Sequence, residues 1–544
     1  MNRIIYILLL ICIIIGCAPT PQPTLQPTPL PAPTQRAEFT PETEPASWWR
    51  DAVFYEIFVR SFNDSNGDGI GDFNGITQKL DYLKNLGINA IWLMPIHPSP
   101  SYHGYDVMDY YNVNPEYGTL NDFKILLEEA HKRNIKIIID LVLNHTSSQH
   151  SFFIEANNDP QSQYRNWYIW SDTQTDRNWH EGKHGYYFGL FSSDMPDLNY
   201  NNPAVTAEME KVVRFWLKDV GIDGFRVDAA KHLIEENGEV ENTPATHEWY
   251  KDFYKFYKAS DPNAYTVGEV FNGGARLAKT YENQLDHIFN FELANAFISS
   301  IRTNTNASIN SAIDNTLGNI PDFNIANFLT NHDQNRVMSV LGGNIQKAKL
   351  AAFLLLTIPG TPFIYYGEEI GMEGLKPDED LRRPMQWNAE ANAGFSTVTP
   401  WRDPYNNYLQ VNVVAQEQDP NSMLNHYRNL IKIRALHSAL RTGNVSIIET
   451  ENSGVYAILC TDKNETLLVL ANLAGQPITE YALTLKDAVL PNGTYSAERL
   501  FGNEQTQGDT LTPKGIQVSQ GLFRNYKPVD KLNPFSTLIV KLRP

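Results

Sequence analysis

From about residue 48 to residue 434 the chain alternates short runs rich in β-branched and aromatic residues with longer amphipathic stretches. That rhythm predicts a parallel sheet with helical crossovers. Strands are expected at residues 53–59, 90–94, 136–143, 224–228, 265–269, 287–291, 325–330 and 362–366. Eight strands separated by helices indicate an α/β fold, a closed (β/α)8 TIM barrel. An open doubly wound sheet fits less well, because no Gly-x-Gly-x-x-Gly turn follows the first strand. Two segments break the rhythm. Residues 145–200 are rich in Trp, Tyr, His and Asn, show no clear helix, and read as a subdomain inserted after strand three. Beyond residue 443, apolar runs at 445–448, 455–459, 466–470 and 536–542 alternate with turn residues and predict a C-terminal antiparallel β domain, a β-sandwich. The barrel is thus assigned to 47–144 and 201–440, the insertion to 145–200 and the last domain to 441–544.

The front of the chain follows neither pattern. Arg3 precedes an unbroken apolar run at 4–15, the length of a signal-peptide core and too short to span a bilayer comfortably. It closes on Ile14-Ile15-Gly16-Cys17, which resembles the bacterial lipoprotein box; that resemblance implies cleavage after residue 16 and a lipid on the Cys17 sulfur. Residues 17–46 are dense in Pro, Thr and Gln and read as an extended tether. A membrane-anchored lipoprotein of the cell surface or periplasm is the expected location. Cys12, Cys17 and Cys460 are the only cysteines, so no disulfide framework is expected in the mature chain.

Charge narrows the partners. With 44 basic and 62 acidic residues the formal net charge is -18, which argues against nucleic acid. A cation ligand or a neutral substrate suits it, and a monomer is expected.

In a barrel of this kind, chemistry sits at the C-terminal ends of the strands. There the sequence reads Asp140-Leu-Val-Leu-Asn144-His145 after strand three and Arg226-Val-Asp228-Ala-Ala-Lys231-His232 after strand four. Gly268-Glu269 ends strand five and Asn331-His332-Asp333 ends strand seven. Repeated strand-end carboxylates equip a site for glycoside hydrolysis, which needs one carboxylate to attack the anomeric carbon and a protonated acid to release the leaving oxygen.

These four segments resemble the conserved regions of the α-amylase family of glycoside hydrolases, whose barrel, inserted subdomain and β domain match the organisation above. The resemblance implies Asp228 as nucleophile, Glu269 as general acid/base and Asp333 as the carboxylate stabilising the distorted ring. It implies that Arg226 holds the nucleophile ionised, that His145 and His332 bind sugar hydroxyls, and that Tyr105 is a stacking platform with His103 nearby. Lys231 and His232 would meet the aglycone sugar, and Asp378 and Arg382 the same or a neighbouring ring. Arg383 remains an alternative for that last position.

Asp64-Ser-Asn66-Gly-Asp68-Gly-Ile70-Gly-Asp72 places oxygen side chains at alternate positions of a glycine-punctuated loop, suited to a hard cation. It starts like an EF-hand, but the twelfth position is Gly75. It resembles the loop calcium site of several α-amylase relatives, with Asp64, Asn66, Asp68, Asp72 and the Ile70 carbonyl as ligands. The family also implies a second Ca2+ between barrel and insertion, held by Asn144, Asp197 and the His232 carbonyl.

Three features point, by family tendency, to endo-acting, retaining hydrolysis of α-1,4 bonds in starch-like glucans: Ala229 after the nucleophile, the Lys231-His232 pair, and Tyr102 where exo-acting relatives usually carry Asp. Met195-Pro-Asp197-Leu-Asn199 leaves room for a cyclodextrinase or neopullulanase, and an α-glucosidase is the other alternative.

Overall fold

The computed structural model describes residues 47–502 and 512–544; Cys17, the apolar leader and the tether lie outside them. The eight barrel strands form where expected, the first seven shorter and the eighth shifted one residue earlier: Phe54–Ile57, Ala90–Leu93, Lys136–Leu141, Gly224–Val227, Tyr265–Gly268, His287–Ile288, Ala326–Phe328 and Thr361–Tyr365. Each pairs in parallel with its neighbour, the eighth with the first. A parallel bridge from Phe289 to Ala326 joins the sixth strand to the seventh and closes the ring.

Helices begin where side chains can satisfy their free amides. Asp72 caps helix Phe73–Leu86 by accepting from the Gly75 amide, and Thr119 with Asp122 forms a capping box on helix Leu120–Lys132. Strand residues alternate between two cores. Phe54, Trp92, Ile138, Tyr265, Val267, Phe289, Phe328 and Phe363 fill the barrel, while residues such as Tyr55, Ile57, Ile137, Ile139 and Ile364 face the helices. At Gly224 the fourth and fifth strands approach so closely that a Cβ would lie 1.9 Å from the Tyr265 carbonyl oxygen.

The insertion carries a three-stranded sheet of Trp170–Ser171, Trp179–Gly182 and Gly185–Phe188. It also holds a helix, Ser151–Asn158, that the sequence reading missed. His150 caps that helix through the Phe152 amide, and its two turns show too little apolar periodicity to stand out. Bridges His145–Asp197 and Tyr168–Leu198 tie the insertion's two ends together.

The C-terminal domain packs two antiparallel sheets. One has six strands, in the order Asn444–Ile447, Val455–Thr461, Thr466–Asn472, Thr537–Arg543, Gly493–Gly502, Ile516–Val518; the other joins Glu449–Thr450, Leu483–Leu485 and Phe523–Tyr526. Leu459, Leu468, Leu470, Leu483, Phe523 and Val540 fill the space between them. Cys460, the one cysteine among the described residues, is buried and free. No described helix is long and apolar enough to cross a membrane.

Just past the C-terminal end of the eighth strand, the turn Glu368–Ile370 buries two adjacent acids. Glu369 accepts from the hydroxyls of Tyr55 (2.8 Å) and Tyr82 (2.6 Å), and Glu368 from Tyr427 (2.7 Å). The second oxygen of each carboxyl meets no donor among the described residues.

Candidate active site

The strand-end residues converge on Arg226, a guanidinium only 1% exposed. Its Nη1 lies 2.8 Å from Asp140 and 2.6 Å from Asp228, and its Nη2 2.9 Å from Glu269 Oε2. The three acids reach it from the third, fourth and fifth strands because parallel strands end in register on one side of the ring. Ala229, next to Asp228, adopts the left-handed conformation (φ 45°) and donates its amide to Glu269 Oε2 at 3.2 Å. With Oε2 taken by two donors, Oε1 is the oxygen left to carry a proton.

Asp333 arrives from the seventh strand. It lies 3.1 Å from His332 Nε2 and 2.8 Å from Arg382 Nη2. His332 Nε2 is also 2.7 Å from the Tyr105 hydroxyl, and the two rings stack with centroids 5.7 Å apart. His103 stacks on the other side of Tyr105 at 6.1 Å. His145 sits beneath, with Nε2 3.1 Å from the Tyr105 carbonyl oxygen. Arg382 therefore takes the position left open in the sequence, since Arg383 turns away to Asp380 and the Asp403 carbonyl. Asp378 stands 3.7 Å from Arg382 and also pairs with Lys376. Lys231 pairs with Glu241 at 2.5 Å, and His232 Nδ1 is 2.9 Å from the Val240 carbonyl oxygen. Tyr102 stacks on Trp401 at 5.5 Å beside Arg382.

Electrostatics divides these acids. Burial pushes Asp140 up to about 7 against the pull of Arg226. Burial likewise raises Asp228 and Glu269, with Arg226 opposing and neighbouring carboxylates adding to the rise. The expected contact between Arg226 and Asp228 forms, and it pulls Asp228 toward its ionised form against the desolvation that raises it. Asp333 moves the other way. Burial would raise it, yet His332 and Arg382 hold it below the ordinary range.

Sequence reading assigned no role to Asp140, fully buried and bound to Arg226, or to Glu56, bound to His332. Each is a charge inside an apolar strand, and that anomaly was the available signal. Phe191 was missed as well: it is 47% exposed, and its ring meets the edges of His145 (5.5 Å) and His232 (5.7 Å).

The expected calcium ligands divide into two groups. In the loop, Asp64 accepts from the amides of Asn66, Gly67 and Gly69 and from the Ser396 hydroxyl. Asn66 accepts from the Asp68 amide, Asp68 from the Ile70 amide, and Asp72 from Ser65 and Gly75. The donor set is all oxygen, which fits a hard cation, although no three His, Cys, Asp or Glu side chains converge as a metal-holding group among the described residues. The second group does come together. Asn144 Nδ2 bonds Asp197 Oδ2 (3.3 Å) and the His232 carbonyl, while Asn144 Oδ1 faces His145 Nδ1 at 3.0 Å. Burial lowers His145 to about 4, so the ring is neutral, and its single proton serves the Tyr105 carbonyl. Nδ1 then needs a donor, which the opposite amide orientation of Asn144 supplies. That orientation turns Oδ1 toward Asp197 and the His232 carbonyl, an oxygen set that fits calcium. Burial raises Asp197, and nearby Glu235 adds to the rise; Glu235 Oε1 is itself buried and meets no partner among the described residues.

Carboxylic acids gathered on one arginine at the mouth of a (β/α)8 barrel are the equipment of a glycoside hydrolase. The family model "Alpha amylase, catalytic domain" matches residues 56–443, and the chain belongs to the α-amylase family of glycoside hydrolases. It is similar to alpha-amylase 3 of Dictyoglomus thermophilum, at 45% identity across 91% of this chain and 94% of that protein. It is also similar to trehalose-6-phosphate hydrolase of Bacillus subtilis, at 34% across 87% and 98%. Among solved structures, the alpha-amylase from H. orenii superposes with a TM-score of 0.79 at 38% identity, covering 90% of this chain and 99% of that one.

Proposed function

We propose that this glycoside hydrolase cuts internal α-1,4 bonds of starch-like glucans with retention of configuration, outside the cytoplasm and held to a membrane through lipid-modified Cys17. The observation that carries the chemistry is the grouping of Asp228 and Glu269 on Arg226, with Asp333 ionised beside them.

In the first step Asp228 attacks the anomeric carbon as Glu269 Oε1 gives its proton to the departing oxygen, leaving a glycosyl ester on Asp228. In the second, Glu269 takes a proton from water, whose oxygen attacks the same carbon and releases Asp228. A raised pKa suits Glu269 to both tasks. Asp333, kept ionised by His332 and Arg382, stabilises the positive charge that builds on the ring. Tyr105 supplies a ring face for the sugar at the cleavage point, His145 and His332 stand at its hydroxyls, and Lys231, His232 and Phe191 line the aglycone side.

Calcium, when bound, stabilises the loop through Asp64, Asn66, Asp68, Asp72 and the Ile70 carbonyl, and the insertion junction through Asn144, Asp197 and the His232 carbonyl. Two features support the endo reading. Tyr102 is packed between Trp401 and Arg382 where an exo-enzyme would grip a chain end, and the relative at 45% identity is an alpha-amylase.

The test is a time course of products from soluble starch, cyclodextrin, pullulan and maltose. Starch–iodine colour should fall quickly relative to reducing ends, and maltose should be a poor substrate. Rapid glucose release from maltose would favour an α-glucosidase, and cyclodextrin turnover above that of starch a cyclodextrinase.

A further inference from the structure

Glu56 is the only acid in the first strand, Phe54–Ile57, and it is 2% exposed. A charge there is costly unless it is paired. Its one ion-pair partner among the described residues is His332, whose Nδ1 lies 2.6 Å from Glu56 Oε1. The imidazole is fully buried, fixed on one face by Tyr105 and along an edge by Trp92, with ring centroids 5.7 and 5.6 Å away. Its Nε2 points into the cluster, at the Tyr105 hydroxyl (2.7 Å) and Asp333 Oδ2 (3.1 Å). Glu56 thus stands behind the imidazole, on the side away from the cleft.

We propose that Glu56 is a positioning residue for glycoside hydrolysis, holding His332 as an imidazolium whose Nε2–H is aimed at the sugar ring and at Asp333. This rests on the reading of Asp333 and His332 as parts of the hydrolytic site. An imidazole with a carboxylate at each nitrogen keeps both protons, as in carboxylate–histidine pairs generally. Burial alone would discharge the ring, but Asp333 and Glu56 overcome it and lift His332 to about 9. The groups facing it are Glu56, Tyr105, Asp140, Asp228, Glu269 and Asp333; Arg382 bonds only its carbonyl. A fixed imidazolium does two things. It keeps Asp333 ionised, and it gives a charge-assisted hydrogen bond to a ring hydroxyl without any rearrangement as charge develops.

The consequence separates this role from simple packing. Glu56→Gln keeps the shape and an acceptor for Nδ1–H but removes the charge, so His332 should lose its proton at lower pH. In 15N-histidine spectra of the purified full chain at pH 7.5, His332 should carry protons on both nitrogens. In Glu56→Gln it should carry one, and Glu56→Asp should restore the second. With a chromogenic maltooligosaccharide, Glu56→Gln should lower kcat by about tenfold or more and leave KM within about threefold, the pattern of an interaction made in the transition state. The alkaline limb of its kcat profile should move down by about two pH units or more, from the region of 9 to below 7.5. An unchanged imidazolium signal together with an unchanged alkaline limb in Glu56→Gln would overturn the proposal. If that variant does not fold, Glu56→Asp decides: a doubly protonated His332 supports the proposal and a singly protonated one overturns it. A wild-type protein inactive on every α-glucan would sink the hydrolase reading alone, because the spectra report the Glu56–His332 coupling independently.

Discussion

Glu368→Gln should gain stability relative to the wild type as pH rises. Glu368 is 3% exposed beside a second buried acid, and burial, offset by the Tyr427 hydroxyl, pushes it up to about 8 from an ordinary 4.5. A folded-state pKa above the unfolded one means that stability present below about 4.5 is lost as pH rises through about 8. At roughly 1.4 kcal/mol per pKa unit, the ionisable side chain costs under about 1 kcal/mol at pH 5 and about 5 kcal/mol at pH 9. Glutamine still accepts from Tyr427 and never ionises. Its buried NH2 costs about 1–3 kcal/mol if it finds no acceptor, but that term is the same at every pH. The pH-dependent part is therefore about 4 kcal/mol. For 544 residues, at about 2.1 cal/mol/K each, the unfolding entropy is about 1.1 kcal/mol/K, so the variant's Tm advantage should grow by about 3–4 °C between pH 5 and pH 9. Paired thermal melts at the two pH values measure it. An equal offset at both, or an advantage that shrinks toward pH 9, would refute the reasoning.

Glu269→Gln and Asp228→Asn should each lower turnover by more than about a hundredfold while leaving glucan binding measurable by calorimetry. Stripping calcium with a chelator should lower Tm, because a ligand that binds only the folded state stabilises it by mass action; Asp68→Ala should shrink the chelator effect, and identical melts with and without chelator would count against the loop site. Cys17→Ser should move the protein from the membrane fraction to the soluble one, and unchanged retention would exclude a lipid anchor there.

The barrel was legible because each strand is an apolar run between turn residues, so periodicity and length agree. Strand Gly493–Gly502 was not legible. Its Ser, Glu and Arg side chains leave only Tyr495 buried, so it joins the sheet through pairing with Thr537–Arg543 rather than through its own pattern. The strand-end acids could be read as motifs, yet the pairing of Glu56 with His332 spans 276 positions and exists only once the ring closes. Ala229 shows a different limit. Its left-handed backbone means that a valine there would strain the chain as well as crowd Asp228, so that position reports more than bond preference.

A single guanidinium serves Asp140, Asp228 and Glu269. One fixed positive charge divided among three buried acids makes them a pool rather than a row of independent parts: deleting one frees a share of Arg226 for the other two. Replacing Asp228 by asparagine should thus also change how tightly Glu269 holds its proton, and the kinetic defect of such a variant mixes a lost nucleophile with a retuned acid. Energies read from single substitutions in this trio will not add. The informative quantity is the coupling between pairs, and any redesign of the site has to begin by fixing how many negative charges one arginine is asked to hold.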